Sequence, residues 1–360
     1  MIILVTGCSG FVGSHLCEKL IENDNVVVGI DIQELPNDFK YKKQINFINE
    51  DIRNKITSIK KWKPEVVVHL AALPGVYPST VKPFETVDTN IKGTLNLLEE
   101  CRKNGVKKII YASSSTVYGN EHNSDNKQTS DNLLSPYAIT KKTCEMFFNY
   151  YSNNYDMKCI GLRFFSVFGP RGRKDMAPYI FMNSILNDKE IVIYGDGNIK
   201  RDFTSIKDIV DGIILSIEYI NKMIINHDVF NLGNNNGITL NEFISIIEKC
   251  IGKKAKIINT VQRTCDNDKT SADLNKSKEI LGYKPKISIK DEIYATVQSL
   301  ISKKNNEYKC NYCIENLRSL DELEKHNWEH HPKDKYQVTW SSVNFNNWKG
   351  SAYYRDDPYY

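Results

Sequence analysis

The sequence predicts an α/β protein in which a doubly wound parallel sheet is covered by helices, with a smaller C-terminal domain beside it. Three observations predict this. From residue 1 to about 165, short β-branched runs alternate with longer helical patterns, the signature of repeated strand–helix units. The strand runs are continuously apolar rather than alternating, so both faces of the sheet are expected to be buried. From about 166 to 303 the pattern loosens into loops punctuated by Gly and Pro, as in FGPRGRKDMAP and YGDGNIKRDF, which reads as a second domain closing a cleft.

The expected strands are, in order, MIILVTG, NVVVGID, EVVVHLAA, KKIIYASS and KCIGLRFF. The first runs straight into TGCSGFVGSHLCEKL, where Gly7, Gly10 and Gly13 are spaced GxxGxxG and a helical pattern follows. Glycines placed there let the backbone turn tightly and approach a pyrophosphate resting on the helix N-terminus. The second strand ends in Asp31, 24 positions after Gly7, where a carboxylate accepts ribose hydroxyls and repels a 2′-phosphate. A strand before, a helix after and an acid at this distance together point to a Rossmann-type site for NAD rather than NADP. Taken singly the residues allow blander readings, such as Gly13 serving only helix–strand packing.

With 41% hydrophobic and 26% charged residues, the 360-residue chain has the composition of a globular protein with a substantial core. Its net charge of +4 is scattered, so no basic stripe argues for nucleic acid. No apolar run reaches the ~18 residues of a membrane span, and the strand-like start leaves no room for a signal peptide. Seven of the nine cysteines are dispersed through the expected elements, which suits reduced thiols in a cytoplasmic compartment.

The fourth strand ends in YASSSTVYG, and some twenty residues later comes SPYAITKK, in which Tyr137 precedes Lys141 by four at the opening of a helix. That spacing stacks the two side chains on one face, and an ammonium near a phenol makes the phenol a better base. Ligands bind beyond the carboxyl ends of strands in open parallel sheets, so the serine-rich strand end faces the same cleft.

In combination, TGCSGFVG, HLAA, SSSTVYG, YAITK, LRFFSVFGPRGR, RDFTSIKDIV and ADLNKSKEILGYKP resemble the extended short-chain dehydrogenase/reductase family, specifically its NAD-dependent nucleotide-sugar 4-epimerases, over residues 1 to about 300. The resemblance implies that Tyr137 takes the proton of the sugar 4-hydroxyl while C4 passes a hydride to NAD, that Lys141 also binds the nicotinamide ribose, and that Ser114 shares the hydroxyl proton. It implies cofactor contacts from Phe11 and Val12 within the glycine motif, from Asp51 and Ile52 at the adenine, and from Ala71 and Asn90. Relatives that dehydrate the sugar carry Asp-Glu where this chain has Ser115-Thr116, and those that decarboxylate a uronic acid usually carry Glu at Thr116. Simple epimerisation is therefore implied, on a homodimer as in many relatives.

The stretch RFFSVFGPRGRKDMA is similar to UDP-glucuronate 4-epimerases, with Lys174 in place of their proline. A carboxylate at C6 would take Ser166, Ser115, Thr116 and Arg173 as partners. Arg201 matches the arginine that grips the diphosphate, Arg163 reads as structural, and Arg263 and Asp266 stand in a loop that has lost the family's Pro and Gly. UDP-glucose and UDP-N-acetylglucosamine stay open as alternative substrates. A reading of another class, a non-catalytic dinucleotide-binding scaffold, is disfavoured by the intact Ser114, Tyr137 and Lys141.

The expected division is 1–166 for NAD and 167–303 for the nucleotide sugar, the two interleaved, then 304–335 and a tail, 336–360, rich in Trp and Tyr. Within 304–335, two residues separate Cys310 from Cys313, twelve separate Cys313 from His326, and His330 or His331 follows. Tetrahedral zinc wants four such N/S ligands, and the segment looks like a small ββα zinc-finger module of the C₂H₂ type. Its outward helix positions include Asp321 and Glu322, so contact with protein is expected rather than with DNA.

Overall fold

The structure, a computed structural model, describes residues 1–119, 131–261 and 270–307, with side chains to residue 302. Its strands are β1 (Ile2–Thr6), β2 (Val26–Asp31), β3 (Asn46–Asn49), β4 (Val66–His69), β5 (Lys108–Ser114), β6 (Lys158–Phe164), β7 (Ser166–Phe168), β8 (Glu190–Tyr194), β9 (Lys200–Arg201), β10 (Phe203–Ser205), β11 (His227–Leu232), β12 (Ile238–Thr239) and β13 (Lys256–Thr260). The α-helices are α1 (Phe11–Glu22), α2 (Ser58–Trp62), α3 (Val76–Val81), α4 (Pro83–Val87), α5 (Gly93–Lys103), α6 (Pro136–Tyr155), α7 (Ala177–Leu186), α8 (Ile206–Ile220), α9 (Leu240–Ile251), α10 (Asn275–Leu281) and α11 (Ile289–Glu307). A π-helical turn, Asp88–Lys92, leads into α5, and a 3₁₀ turn, Ser115–Tyr118, follows β5.

Seven parallel strands form the main sheet in the order β11-β6-β5-β4-β1-β2-β3. Each strand feeds apolar side chains to both faces. Ile3 and Val5 of β1 join one core with Leu16, Cys17 and Leu20 of α1 and Ile209 and Ile213 of α8, whereas Leu4 joins the other with Leu97 and Leu98 of α5 and Phe148 of α6. Burying each such side chain contributes about 1.5–3 kcal/mol, which is why continuous rather than alternating apolar runs mark these strands. Strand order reverses between β1 and β4, and the crevice beyond their carboxyl ends is where this architecture binds ligands.

Two strands of the sheet are absent from the sequence expectation. β3 is short and half-exposed, and β11, drawn from the segment expected to hold the nucleotide sugar, pairs with β6 from Cys159↔His227 to Phe164↔Leu232. Residues 1–297 accordingly form one compact unit in which the two expected segments share a sheet; residues 298–360 group separately, and of these 298–307 are the described end of α11. No helix among the described residues is long and apolar enough to cross a membrane. The six described cysteines, Cys8, Cys17, Cys101, Cys144, Cys159 and Cys250, are all free thiols.

Candidate active site

The glycine turn leaves no room for a side chain at two of its three glycines. Gly7 has φ of +73°, and a Cβ there would lie 2.7 Å from the Ala71 backbone nitrogen; at Gly13 a Cβ would lie 2.0 Å from the Gly7 carbonyl oxygen. Gly10 caps α1 with an extended backbone and offers no side-chain acceptor. The first N–H groups of α1, those of Phe11, Val12 and Gly13, therefore remain available to an anion. Phe11 and Val12 turn their side chains toward the core, so their contribution to a ligand is the backbone. Arg171 grips Glu18, two turns into α1, through two hydrogen bonds, 3.0 and 2.5 Å, and so ties the FGPRGR loop to this helix.

Asp31 stands where β2 ends, accepting from the Ser9 and Gln33 backbone N–H groups at 3.0 Å each. A carboxylate has about four acceptor positions, so two remain for ribose hydroxyls. This cradle fits a dinucleotide: the backbone approaches closely, helix donors are open, and an acid faces the ribose position.

The adenine side departs from expectation. Asp51 is held in a fork by Arg53 (Nη2 to Oδ2, 2.6 Å), and the Arg53 hydrogen bonds keep its carboxyl below the usual range. Ile52 buries its side chain in the core against Gly93 and its carbonyl accepts from Asn96 Nδ2 at 2.7 Å, so the backbone N–H is what it keeps for a base. Asn90, expected at the cofactor, spends both amide hydrogens on the protein. Its amide accepts from Leu73 N (2.7 Å) and donates to Leu73 O (3.1 Å) and Thr140 Oγ1 (3.0 Å), so every hydrogen faces protein. Sequence shows that Asn90 is polar but not that a π-helical turn aims it inward.

The catalytic candidates converge on the end of β5. Ser135 caps α6 by accepting from Ala138 N at 3.2 Å, and Pro136 occupies the first turn, where its missing N–H costs nothing. This fixes Tyr137 in the first turn and Lys141 one turn later. Lys141 is buried, donates to Ala112 O of β5 at 2.8 Å, and places its ammonium 5.8 Å from the centre of the Tyr137 ring. Ser114 ends β5 and caps the 3₁₀ turn, accepting from Thr116 N (3.2 Å) and Thr116 Oγ1 (3.0 Å). Both acceptor positions of the serine are thus taken, and its own O–H is left as a donor.

On the substrate side, Ser166 is half-buried and pairs through its backbone with Asp202 O at 3.0 Å. Arg173 is not the uncommitted cation expected for a sugar carboxylate. Asp175 takes it in a fork (3.1 and 2.5 Å) and Pro74 O accepts at 3.2 Å. Ser115 is half-buried in the 3₁₀ turn. Arg201 lies on β9 opposite Ile238. Arg263, Asp266 and the expected zinc ligands Cys310, Cys313, His326 and His330 lie outside the described residues, among which no cluster of potential metal ligands occurs.

Three buried groups that the sequence did not single out support these elements. Glu145, one turn past Lys141, receives two bonds from Arg163 (2.8 and 2.9 Å) and one from Ser113 Oγ (2.5 Å), confirming the structural reading of Arg163. The spacing YxxxKxxxE was the available signal. Asp202, beside Arg201, accepts from the backbone N–H of Asn234, Asn235 and Ala272 and from Thr204 Oγ1. His69 is buried against Thr6 and Thr94 and stays neutral, pushed down to about 3 by burial and by the Lys141 charge.

This geometry meets matching relatives. The profile of the NAD dependent epimerase/dehydratase family covers residues 3–233. The chain belongs to that family. It is 37% identical over 309 residues to a UDP-glucuronate 4-epimerase of Thermodesulfobacterium geofontis, spanning 82% of this chain and 94% of that one. A Bacillus cereus UDP-glucuronic acid 4-epimerase, solved with UDP-glucuronic acid and NAD, superposes with a TM-score of 0.79 at 35% identity, covering 84% of this chain and all of the other. A Thermotoga maritima UDP-glucose 4-epimerase, solved with UDP-glucose, gives 0.77 at 32% identity over 84% of this chain and 99% of the other. The Rossmann-like parallel sheet expected from the sequence is shared with these structures.

Proposed function

We infer that this member of the family is an NAD-dependent 4-epimerase of a UDP-sugar, with UDP-glucuronate converted to UDP-galacturonate as the preferred reaction. The observation that carries the reading is that Lys141, beside the Tyr137 ring, anchors on Ala112 O of β5, the strand that ends in Ser114, in the same open sheet as a glycine cradle with no room for a side chain at Gly7 or Gly13. NAD, when bound, supplies the hydride acceptor and donor for sugar C4. Tyr137 takes the proton of the 4-hydroxyl and returns it after the 4-keto sugar has presented its other face. Ser114, whose remaining hydrogen-bonding capacity is an O–H donor, holds the sugar O4. Lys141, anchored on Ala112 O, keeps its positive charge beside the phenol. Thr116 and Ser115, where related dehydratases and decarboxylases carry acids, offer no group to expel water or a carboxylate.

UDP-glucuronate is favoured by the FGPRGRKDMA stretch and by the relatives' substrates. A neutral UDP-sugar is the second reading, and it draws on a specific observation: Arg173 already has Asp175 as its counterion, so a substrate carboxylate must compete for it. A homodimer is supported by the exposed apolar row Ile139, Met146 and Tyr150 on α6 and by Phe84 on neighbouring α4. The spacing of Cys310, Cys313, His326 and His330 supports structural zinc in an appended module. Tyr137→Phe tests the catalytic core: turnover should fall at least about a thousandfold, as the sole proton acceptor is lost, while NAD stays bound. Turnover within tenfold of wild type would remove Tyr137 from its role.

A further inference from the structure

Asn90 and His69, which the proposed reaction leaves unused, belong to two stretches of buried hydrogen bonds that meet at Asn90, one ending on its backbone carbonyl and the other starting from its side-chain amide. The first starts at Thr6, the residue before Gly7. Thr6 Oγ1 accepts from the backbone N–H of Ala71 and of Leu70, both at 3.1 Å, the Leu70 N–H being shared with the Thr6 carbonyl at 3.1 Å. Its two acceptor positions are then full, so its single proton goes to His69 Nδ1, 2.8 Å away. Nδ1 therefore carries no hydrogen, and in a neutral ring the hydrogen sits on Nε2, which faces Thr94 Oγ1 at 2.9 Å.

From there the donor-to-acceptor direction is kept, passing at Asn90 from backbone to side chain through the residue's own covalent frame. Thr94 Oγ1 donates to Asn90 O at 2.6 Å. The Asn90 amide donates to Thr140 Oγ1 at 3.0 Å, and Thr140 donates to the backbone carbonyl of Tyr137 at 2.8 Å. His69, Thr94, Asn90 and Thr140 are all buried, so a missing partner cannot be replaced by solvent and the penalty falls on the neighbouring link.

We propose that this one-way chain, Thr6–His69–Thr94–Asn90–Thr140–Tyr137, is a positioning device that sets the glycine cradle and the first turn of α6 in one register, with His69 as the Nε2–H tautomer and Thr94 as the central positioning residue. It crosses β1, β4, α5, the π-helical turn and α6, and its Asn90 member also holds both polar backbone atoms of Leu73. The loop after β4 is thereby tied to the cradle at Leu70 and Ala71 and to the catalytic helix through Leu73. The proposal rests on the epimerase reading only for its turnover arm.

Thr94 separates a hydrogen-bonding role from a packing role. Valine preserves the side-chain shape and removes the hydroxyl; serine keeps the hydroxyl and removes a methyl. With NAD as the calorimetric probe, Thr94→Val should bind about tenfold more weakly, and its UDP-sugar kcat should fall by a similar factor with KM changed less than about twofold. Thr94→Ser should stay within about twofold of wild type. The reverse ranking, valine intact and serine impaired, would overturn the proposal in favour of packing. Independently, ¹⁵N-imidazole NMR of the wild-type protein at neutral pH should show His69 with a bare Nδ1 and a protonated Nε2; a hydrogen on Nδ1 would also overturn it. If the wild-type protein epimerises no UDP-sugar, the epimerase reading fails alone, and NAD affinity and the tautomer still decide the chain.

Discussion

Replacing Glu145 by Gln removes the only carboxylate that faces the buried Arg163 guanidinium in the described structure, and its consequence can be worked out bond by bond. The two side chains are 6% and 10% exposed, joined at 2.8 and 2.9 Å, and Ser113 Oγ donates to the same carboxylate at 2.5 Å. Tyr118 OH accepts from Arg163 at 2.8 Å but carries no charge. Breaking one side of such a pair leaves a charge that water cannot reach, a loss of about 3–5 kcal/mol. At about 2 °C per kcal/mol for a unit of this size, the thermal midpoint should fall by roughly 6–10 °C. Circular dichroism melts of the wild type, Glu145→Gln and the double variant Glu145→Leu/Arg163→Met would read it. The double variant, which removes both charges, should recover most of the loss. A drop under about 2 °C for Glu145→Gln, or a double variant as weak as the single, would refute the reasoning from burial and charge.

Two further perturbations test the cradle and a buried acid. Gly13→Ala would place a Cβ 2.0 Å from the Gly7 carbonyl oxygen, so the cradle must open; NAD affinity by calorimetry should fall at least about tenfold with the far-ultraviolet spectrum preserved, and unchanged affinity would show that the cradle is not the cofactor site. Glu292 is fully buried, with Ser205 Oγ on one oxygen at 2.8 Å and no partner on the other among the described residues. Burial raises its carboxyl above the ordinary value, so the folded protein holds that proton more tightly than the unfolded chain, and the associated stability is present below pH ~4.3 and lost as pH rises through the folded value. Glu292→Gln removes that loss, so its midpoint should gain on wild type between pH 5 and pH 8; a constant difference across that interval would show that Glu292 does not titrate in this way.

What could be read from the sequence was whatever depends on neighbours along the chain. The glycine turn, the acid ending β2, the Ser135–Pro136 start of α6 and the continuous apolar strands each carry their cause within a few residues. β11 does not, because His227, Asp228 and Asn231 make it look polar; each finds its partner far away, in Tyr111, Lys276 and Tyr118. β3 is too short and too exposed to stand out by composition. At the site, residue type was legible and direction was not. Nothing local says that Ile52 turns into the core or that Asn90 spends its amide on Leu73 and Thr140; Asp175, two residues from Arg173, was a local signal left unread, and those directions decide which groups are left for a ligand.

The most direct test is to incubate the purified protein with UDP-glucuronate, UDP-glucose and UDP-N-acetylglucosamine in separate reactions with NAD and to follow the C4 epimer by NMR. The account predicts epimerisation, with UDP-galacturonate formed from UDP-glucuronate faster than the neutral sugars are converted. Turnover of a neutral sugar alone would contradict the assignment of the carboxylate to Ser166, Ser115, Thr116 and Arg173, and silence on all three would contradict the epimerase itself.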